Sequence, residues 1–321
     1  MKSMMLESIN GNLTMIDIPK PSYKTDEILI KVLTTSLNFA DTLLISGKYQ
    51  EKPNLPFAPG MEICGIIEKF GKSVSKFKVD QRIVAYVGFG GLSEYIVVKQ
   101  NLCFSIPDNI SNEKAASLLI AYGSTELALN YKAKLLKGEN LLVLGASGGV
   151  GISALQIGKA MGAFVVAVAR GEKKCSLAKS MGADLVFDSN TVDLKSELKR
   201  LKRIDVIYDP IGGSQFKDVF SASQPETRIL PIGFASGDIP NIPANIMMVK
   251  NITLIGFQIG TYRLFKPNVL KECFERLVTM WSRNVIDPHI SKIFPLDRSN
   301  EAIELIKQRQ SKGKVVVNIS S

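Results

Sequence analysis

Six short apolar runs alternate with helix-period patterns over the middle of the chain. The helical patterns fill most of the intervals between the runs. Short buried strands that alternate with helices are typical of a parallel, doubly wound sheet with helices on both faces. We therefore predict an α/β domain with strands at Leu141–Leu144, Phe164–Ala169, Leu185–Phe187, Asp205–Tyr208, Arg228–Ile232 and Ile252–Phe257.

The first third of the chain has the pattern of a β-rich domain. The segment EILIKVLTTSL, residues 27–37, alternates between apolar and polar positions, which suits a sheet that faces water on one side. Further strands are predicted within 60–74, 80–86 and 92–98, and turn residues recur about every ten residues. This spacing predicts a barrel-like domain.

The end of the chain returns to a mixed pattern. An amphipathic helix begins at Pro267, and the chain closes with the strand KVVVNIS. That strand needs a partner sheet, and we expect it to join the β-rich domain. The α/β domain, residues 118–260, is then inserted into a discontinuous domain of residues 1–117 and 261–321. We expect the ligand cleft to lie between the two domains.

A glycine-rich turn follows the first α/β strand, in the sequence LLVLGASGGVG. Strand, glycine turn and helix start in this order cradle a phosphate in dinucleotide-binding folds, because the helix N-terminus offers free N–H groups. The turn is one residue longer than G-x-G-x-x-G. We predict cofactor contacts from Ala146, Ser147, Gly148, Gly149, Val150 and Gly151.

Composition defines the class of protein. The chain has 321 residues, of which 45% are apolar and 22% charged, as in globular proteins with a sizeable core. The sequence contains no run of about 18 apolar residues, so we do not expect a membrane span. The N-terminus lacks the apolar stretch of a secretory leader. The four cysteines lie far apart and without metal spacing, so we expect buried thiols and a cytoplasmic protein.

The net charge of +10 fits a phosphate-bearing partner. Lysines scattered over solvated faces explain most of this charge. No long Lys/Arg block or aromatic-basic interleaving is present, so a nucleic-acid partner is not expected.

Three segments carry a family resemblance: NFADTLLISGKY, APGMEICGIIEKFG and LVLGASGGVGISALQIGKAMGA. In this order they resemble the zinc-independent quinone oxidoreductase branch of the medium-chain dehydrogenase/reductase superfamily. The likeness extends through GFASGDIPNIPANIMMVKN to the closing KGKVVV. It implies a Rossmann domain inserted into a GroES-like catalytic domain, and hydride transfer from NADPH to a quinone or an α,β-unsaturated carbonyl.

Zinc-dependent relatives take metal ligands from a cysteine and from the histidine of a G-H-E tripeptide. This chain has Asn38 and Met61 at those positions, and its only histidine is His289. A catalytic zinc needs three protein ligands from His, Cys or carboxylate. We therefore predict no metal.

The choice of nicotinamide cofactor depends on the end of the second α/β strand. An acidic residue there holds the ribose 2′-hydroxyl of NAD, whereas cations suit a 2′-phosphate. Arg170 and Lys174 follow that strand, with Glu172 as the contrary residue. We therefore predict NADPH. The resemblance implies that Arg309 also reaches the phosphate, while Ser189 replaces a tyrosine that some relatives use.

Reduction of a carbonyl or enone also needs a proton. The resemblance implies that Asn38 offers amide hydrogens to the nicotinamide ribose or the substrate, and it places Asp41 nearby. Asp41 is a better candidate for a helix cap than for a catalyst. Leu43 stands where many quinone reductases have a tyrosine. Tyr49 corresponds to the proton donor of enoyl-thioester reductases, and it is either the acid or an aromatic wall.

The remaining contacts are implied by position. Thr125 corresponds to a residue that bonds the phosphates or ribose, and Phe257 either stacks on a flat substrate or packs in the core. The last strand leaves an unpaired edge, which predicts a homodimer. Further residues expected at the carboxyl edge are Gly233, Phe234, Ala235, Gln258 and Ile259.

Two other functions stay open beside the leading one. An enoyl-thioester reductase is favoured by Tyr49 and by the basic charge. An NADPH-binding sensor or RNA-binding protein with little catalysis is favoured by the leucine at position 43.

Overall fold

A computed structural model describes residues 1–320 of the chain. They form two compact units, each with its own sheet and core. The β unit comprises residues 1–121, 274–282 and 288 onward, and the α/β unit comprises Tyr122–Cys273 and Arg283–Asp287.

The strands, in chain order, are β1 (Lys2–Leu6), β2 (Leu13–Asp17), β3 (Glu27–Leu37), β4 (Glu62–Phe70), β5 (Arg82–Tyr86), β6 (Tyr95–Lys99), β7 (Cys103–Ser105), β8 (Asn140–Val143), β9 (Phe164–Ala169), β10 (Leu185–Asp188), β11 (Val206–Asp209), β12 (Arg228–Pro231), β13 (Thr253–Leu254), β14 (Ile290–Pro295) and β15 (Lys314–Asn318).

The α-helices are α1 (Phe39–Ile45), α2 (Asn112–Ala116), α3 (Ala121–Glu126), α4 (Gly149–Ala160), α5 (Glu172–Ser180), α6 (Leu194–Arg200), α7 (Gly213–Ala222), α8 (Ala244–Val249), α9 (Ile259–Phe265), α10 (Pro267–Ser282) and α11 (Ser299–Lys307). A π-helix, Leu127–Lys132, continues α3. No helix within residues 1–320 is both long enough and apolar enough to cross a bilayer.

The α/β unit is built on a six-stranded parallel sheet in the order β10-β9-β8-β11-β12-β13. Its central strands are apolar on both faces: Leu141, Leu142 and Val143 of β8 are fully buried. Helices cover such a sheet on both sides, which is why its strands lack polar alternation. The predicted doubly wound sheet is confirmed.

The strand order reverses between β8 and β11. From β8 the chain moves outward through β9 to β10, and it then returns to the other side of β8 at β11. In open α/β sheets, ligands bind outside the carboxyl ends of the strands at such a reversal. The glycine turn after β8 stands at this point.

The β unit is organised around its longest strand, β3. Along one edge β3 pairs with β4, and along the other it pairs first with β6 and then with β15. Val315 of β15 lies opposite Leu37 of β3. The predicted return of the last strand to the β-rich domain is therefore confirmed.

One helical segment is interrupted, and one strand is shorter than the sequence predicts. Residues 112–132 have a helical pattern, but α2 ends at Ala116 and the helix resumes only with α3, which continues into the π-helix. The last strand of the parallel sheet is only Thr253–Leu254, although the Ile255 N–H still donates to the Ile229 carbonyl at 2.8 Å. The predicted end of this strand lies beside the start of α9, for which Gln258 is the N-cap: its side-chain oxygen accepts from the Thr261 N–H at 2.7 Å.

Candidate functional site

The glycine turn of residues 145–151 is held by the strands beside it. The Leu144 N–H donates to the Tyr208 carbonyl on β11, and the Ala146 N–H donates to the Val168 carbonyl on β9, each at 3.0 Å. Gly145 has φ of +57°, a conformation that favours glycine. Gly148 is the N-cap of α4. The strands therefore fix where this helix begins.

The turn leaves room for an anion. A Cβ on Gly151 would lie 2.2 Å from the Gly145 carbonyl oxygen, so this close approach requires glycine. A Cβ on Gly148 would meet only that same oxygen, at 3.5 Å. The first helical bond runs from the Ile152 N–H to the Gly148 carbonyl at 2.8 Å. The preceding amides have no partner within the helix and fit a pyrophosphate.

A chain of buried hydroxyls supports the first turn of α4. The Ser153 hydroxyl donates to the Val150 carbonyl at 2.9 Å and is hydrogen-bonded to the Thr125 hydroxyl at 2.6 Å. The Thr125 hydroxyl is also hydrogen-bonded to the Tyr208 hydroxyl, at 2.8 Å. Thr125 is fully buried. Its hydroxyl is therefore bonded within the protein, where it links β11 to the first turn of α4.

The residues expected to read the 2′-phosphate lie at the ends of β9 and β10. Arg170 follows β9 and is exposed, and Lys174 lies half-buried in the first turn of α5. Asp188, the last residue of β10, accepts from the Gly171 N–H at 2.8 Å and from the Asn190 N–H at 2.9 Å. These bonds lower the pKa of Asp188. Ser189 donates its N–H to the Ala169 carbonyl at 2.9 Å.

The other predicted contacts of the α/β unit lie at the same edge of the sheet. Gly233, Phe234 and Ala235 follow β12, and the Ala235 N–H donates to the Pro210 carbonyl at 3.1 Å. Phe257 is half-buried with its ring 6.0 Å from that of Tyr262. The structure thus brings these residues to one edge together with the glycine turn, Arg170, Lys174, Ser189, Gln258 and Ile259.

Four predicted site residues belong instead to the β unit. Arg309 is exposed just beyond α11, with φ of +57°. Tyr49 is half-buried beyond α1, and its N–H donates to the Leu43 carbonyl at 3.2 Å. Asn38 and Asp41 lie at the start of α1.

Asp41 is a structural carboxylate. One of its oxygens accepts from the Asn38 N–H and the other from the Gly60 N–H, each at 2.8 Å. Burial raises the pKa of Asp41 to about 6. These bonds cap α1 and attach it to the turn before β4, so both carboxylate oxygens are engaged within the fold.

A buried ion pair lies beside Asn38. The Lys314 ammonium contacts a Glu62 oxygen at 2.9 Å and the Asn38 side-chain oxygen at 2.5 Å. The Asn38 amide nitrogen donates to the same Glu62 oxygen at 3.0 Å, and the second Glu62 oxygen accepts from the Ile120 N–H at 2.9 Å. Lys314 and Glu62 are almost fully buried. Their charges are therefore compensated within one network, which we call the Lys314 network.

The Lys314 network engages both the nitrogen and the oxygen of the Asn38 side chain. Its amide nitrogen donates to Glu62 and, at 3.4 Å, to the Ser36 carbonyl, while its oxygen accepts from Lys314. In this geometry the amide hydrogens point into the protein. Neither Glu62 nor Lys314 was predicted as a site residue, although each is the charged first residue of a strand whose next three positions carry no charge.

The positions of zinc ligands in metal-dependent relatives hold other groups here. Met61 is buried, and Asn38 is bound to the Lys314 ammonium. Across residues 1–320, no group of three or more His, Cys, Asp or Glu side chains is arranged to hold a metal ion.

Comparisons with known proteins identify the family. Residues 24–108 match the alcohol dehydrogenase GroES-like domain, and residues 149–278 match the domain described as zinc-binding dehydrogenase. A quinone oxidoreductase-like protein 2 homolog from Nematostella vectensis is 36% identical over 92% of this chain and 82% of its own length. The chain belongs to the quinone oxidoreductase-like family. This confirms the predicted medium-chain dehydrogenase/reductase relationship and a quinone oxidoreductase-like enzyme.

Other members of the family agree over nearly the full length. Quinone oxidoreductase-like protein 2 of Rattus norvegicus is 32% identical over 96% of this chain and 89% of its own. The quinone oxidoreductase of Thermus thermophilus, solved also as its NADPH complex, is 28% identical with a TM-score of 0.87, covering 99% of this chain and 100% of that one. The predicted Rossmann and GroES-like fold is thereby confirmed.

The Lys314 network predicts a large cost for removing one partner. Lys314→Met leaves the Glu62 carboxylate buried without its cation, so we expect unfolding free energy to fall by about 3–5 kcal/mol. Urea unfolding measures this change. Adding Glu62→Gln to Lys314→Met removes the stranded charge and is expected to recover much of the loss.

Lys20→Met is the matched control, because Lys20 pairs with Glu68 at the surface. Its removal is expected to change stability little. A Lys314→Met protein as stable as Lys20→Met would contradict the assigned role of the buried pair.

Proposed function

We propose that this protein is a zinc-independent, NADPH-dependent oxidoreductase that reduces quinones or α,β-unsaturated carbonyls by hydride transfer. The observation that carries the proposal is the open glycine turn at the start of α4, which fits a dinucleotide pyrophosphate. The relatives named quinone oxidoreductase, and the NADPH complex of the Thermus protein, support the same cofactor and substrate class.

Different residues of this chain bind different parts of the cofactor and the substrate. The amides that begin α4 bind the pyrophosphate, and the hydroxyl chain behind them keeps that turn in place. Arg170 and Lys174 bind the 2′-phosphate, and Asp188 fixes the Gly171 turn between them. Bound NADPH supplies the hydride. The Tyr49 phenol then supplies the proton that completes reduction of an enone.

The zinc-independent part of the proposal rests on the Lys314 network. A catalytic zinc would need ligand side chains at the positions of Asn38 and Met61, where this chain has an amide and a buried thioether. The Asn38 oxygen already accepts from the Lys314 ammonium, whose charge is balanced by Glu62. Activity is therefore expected to survive treatment with EDTA.

The preference for NADPH tests the roles of Arg170 and Lys174. In Arg170→Ser with Lys174→Ser, we expect the Kd for NADPH to rise by about 10- to 100-fold, because two charge-assisted hydrogen bonds to the 2′-phosphate are lost. NADH lacks this phosphate, so its Kd is expected to stay unchanged. Isothermal titration with both cofactors measures the difference.

Lys179→Ala serves as the control for that experiment, since Lys179 lies in the last turn of the same helix and donates to the Asp184 carbonyl. An equal loss of NADH and NADPH binding in the double variant would contradict a phosphate-reading role.

Tyr49→Phe tests the proton donor in a panel of quinones, enones and crotonyl-CoA with NADPH. We expect enone reduction to fall by about 100-fold, because general acid catalysis contributes about 10²- to 10⁴-fold. Quinone reduction is expected to change little, since a quinone can accept electrons without an enzyme acid. Initial rates with EDTA present measure both effects.

The same panel separates the other functions. Crotonyl-CoA as the best substrate would favour an enoyl-thioester reductase, for which Tyr49 supplies the specific support. NADPH binding without turnover of any substrate would favour a sensor. An enone rate unchanged in Tyr49→Phe would remove this tyrosine from the mechanism.

We further propose a homodimer formed through the outer edge of β13. That edge has no neighbouring strand within residues 1–320. The adjoining helix α8 exposes Met248 and Val249, each 72% accessible. An open strand edge beside exposed apolar side chains favours pairing with a second copy.

Met248→Glu with Val249→Glu tests this interface. The wild-type protein is expected to sediment at about 70 kDa, twice the 35.1 kDa of one chain, and the variant at the monomer mass. Leu136→Glu changes an exposed leucine elsewhere in the α/β unit and is expected to leave the mass unchanged. A wild-type monomer would refute the dimer.

A further inference from the structure

One buried carboxylate oxygen in the α/β unit is left without a partner. Asp209, the last residue of β11, is only 1% exposed. Its Oδ1 accepts from the Ile211 N–H at 2.7 Å and from the Gly212 N–H at 2.9 Å. No described residue, 1–320, makes a hydrogen bond to its Oδ2. A buried acceptor without a partner lowers stability, so its presence calls for an explanation.

The other end of the same strand provides a contrast. Asp205 precedes β11, and it is also buried. One of its oxygens is paired with Arg203, and the other accepts from the Asn140 N–H at 2.8 Å. A carboxylate that serves only the fold is thus fully bonded here, whereas Asp209 is not.

Asp209 lies where the strand order reverses. It ends β11, the neighbour of β8, and the glycine turn follows β8 on the same edge of the sheet. This is the edge at which a dinucleotide crosses between the two halves of such a sheet. Buried polar groups that the fold leaves without a hydrogen-bond partner are expected mainly at functional sites.

Asp209 also anchors two loops with its main chain. Its carbonyl accepts from the Ile232 N–H at 2.7 Å and from the Gly233 N–H at 3.4 Å. The loop after β11 and the loop after β12 then run side by side, because Ser236 donates its N–H to the Ile211 carbonyl at 2.9 Å. One residue therefore sets the position of both loops.

The two loops approach each other closely enough to require glycine. Gly212 has φ of +70°, and a Cβ there would lie 2.9 Å from the Asp238 carbonyl oxygen and 3.1 Å from the Phe234 ring. The Asp209 side chain holds the Gly212 N–H in this conformation. A shift of the carboxylate would therefore move Phe234 as well.

We propose that Asp209 is a positioning residue for NADPH, which holds residues 210–213 and 232–235 in the arrangement that binds the nicotinamide half of the cofactor. This inference rests on the proposed function, because it concerns the same cofactor. In a purely structural role, the carboxylate would affect mainly the stability of the fold. Here we expect it to affect mainly the affinity for NADPH. The Asp209 Oδ1 holds this arrangement by accepting from the Ile211 and Gly212 N–H groups, while the unbonded Oδ2 distinguishes Asp209 from Asp205, whose carboxylate the fold bonds fully.

The test compares Asp209→Ala, Asp209→Asn and the control Asp205→Asn. We expect Asp209→Ala to raise the Kd for NADPH about tenfold by isothermal titration and to raise KM for NADPH in parallel, with kcat at saturation changed less than about twofold. Asp209→Asn keeps an oxygen for the two amides, so it is expected to restore affinity to within about threefold of wild type. Asp205→Asn is expected to leave the Kd unchanged.

Thermal melting of each protein without cofactor separates affinity from folding. An Asp209→Ala protein that binds NADPH as wild type does would overturn the inference. So would an equal loss of affinity in Asp205→Asn, or a fall in kcat without a change in KM. If Asp209→Ala does not fold, Asp209→Asn and Gly212→Ala replace it in the test. The inference then requires that Gly212→Ala weakens NADPH binding and that Asp209→Asn keeps it. Any other result for these two variants would overturn the inference. Wild-type protein without measurable NADPH affinity would overturn both the inference and the proposed function. Among the outcomes of this experiment, only that one overturns the proposed function.

Discussion

The buried contact between Lys314 and Glu62 is the interaction on which the β unit depends. It joins the last strand of the unit to the start of β4, and through Asn38 it reaches the helix that follows β3. Two charges in a protein interior are tolerated only when each is closely paired and its remaining bonding capacity is filled. Glu62 meets this condition with three groups that surround its carboxylate, from Lys314, Asn38 and Ile120. The network therefore fixes several segments at once.

The α/β unit uses neutral groups for a similar purpose. The hydroxyls of Tyr208, Thr125 and Ser153 connect the end of β11 to the first turn of α4 through bonds of 2.6 to 2.9 Å. A hydroxyl chain has a direction, so each member depends on its neighbour's proton. An uncharged link leaves the positive end of the helix free for an anion. The two units thus fix their candidate sites with different chemistry.

Sequence patterns predicted the fold better than they predicted the site. The parallel strands could be predicted because burial on both faces requires uninterrupted apolar runs. The glycine turn could be predicted because its backbone geometry restricts which residues can occupy it. Arg170 and Lys174 follow a strand by a fixed interval, so their place at the sheet edge also followed from spacing. Lys314 and Glu62 are 252 positions apart, and no local pattern joins them. For the same reason, the sequence did not show that the hydroxyl of Thr125 is bonded to Tyr208, 83 positions away.

The return of β15 to β3 has a consequence for synthesis on the ribosome. At about 5–20 residues per second, the ammonium that compensates Glu62 emerges roughly 13 to 50 s after the carboxylate. During this interval the edge of β3 between Thr34 and Leu37 lacks the strand that later covers it. The α/β unit is translated entirely within the same interval and contains all of its own strands. The order of translation thus leaves the first-made sheet open longest, and an open edge of this kind is a surface that a nascent chain must protect from aggregation.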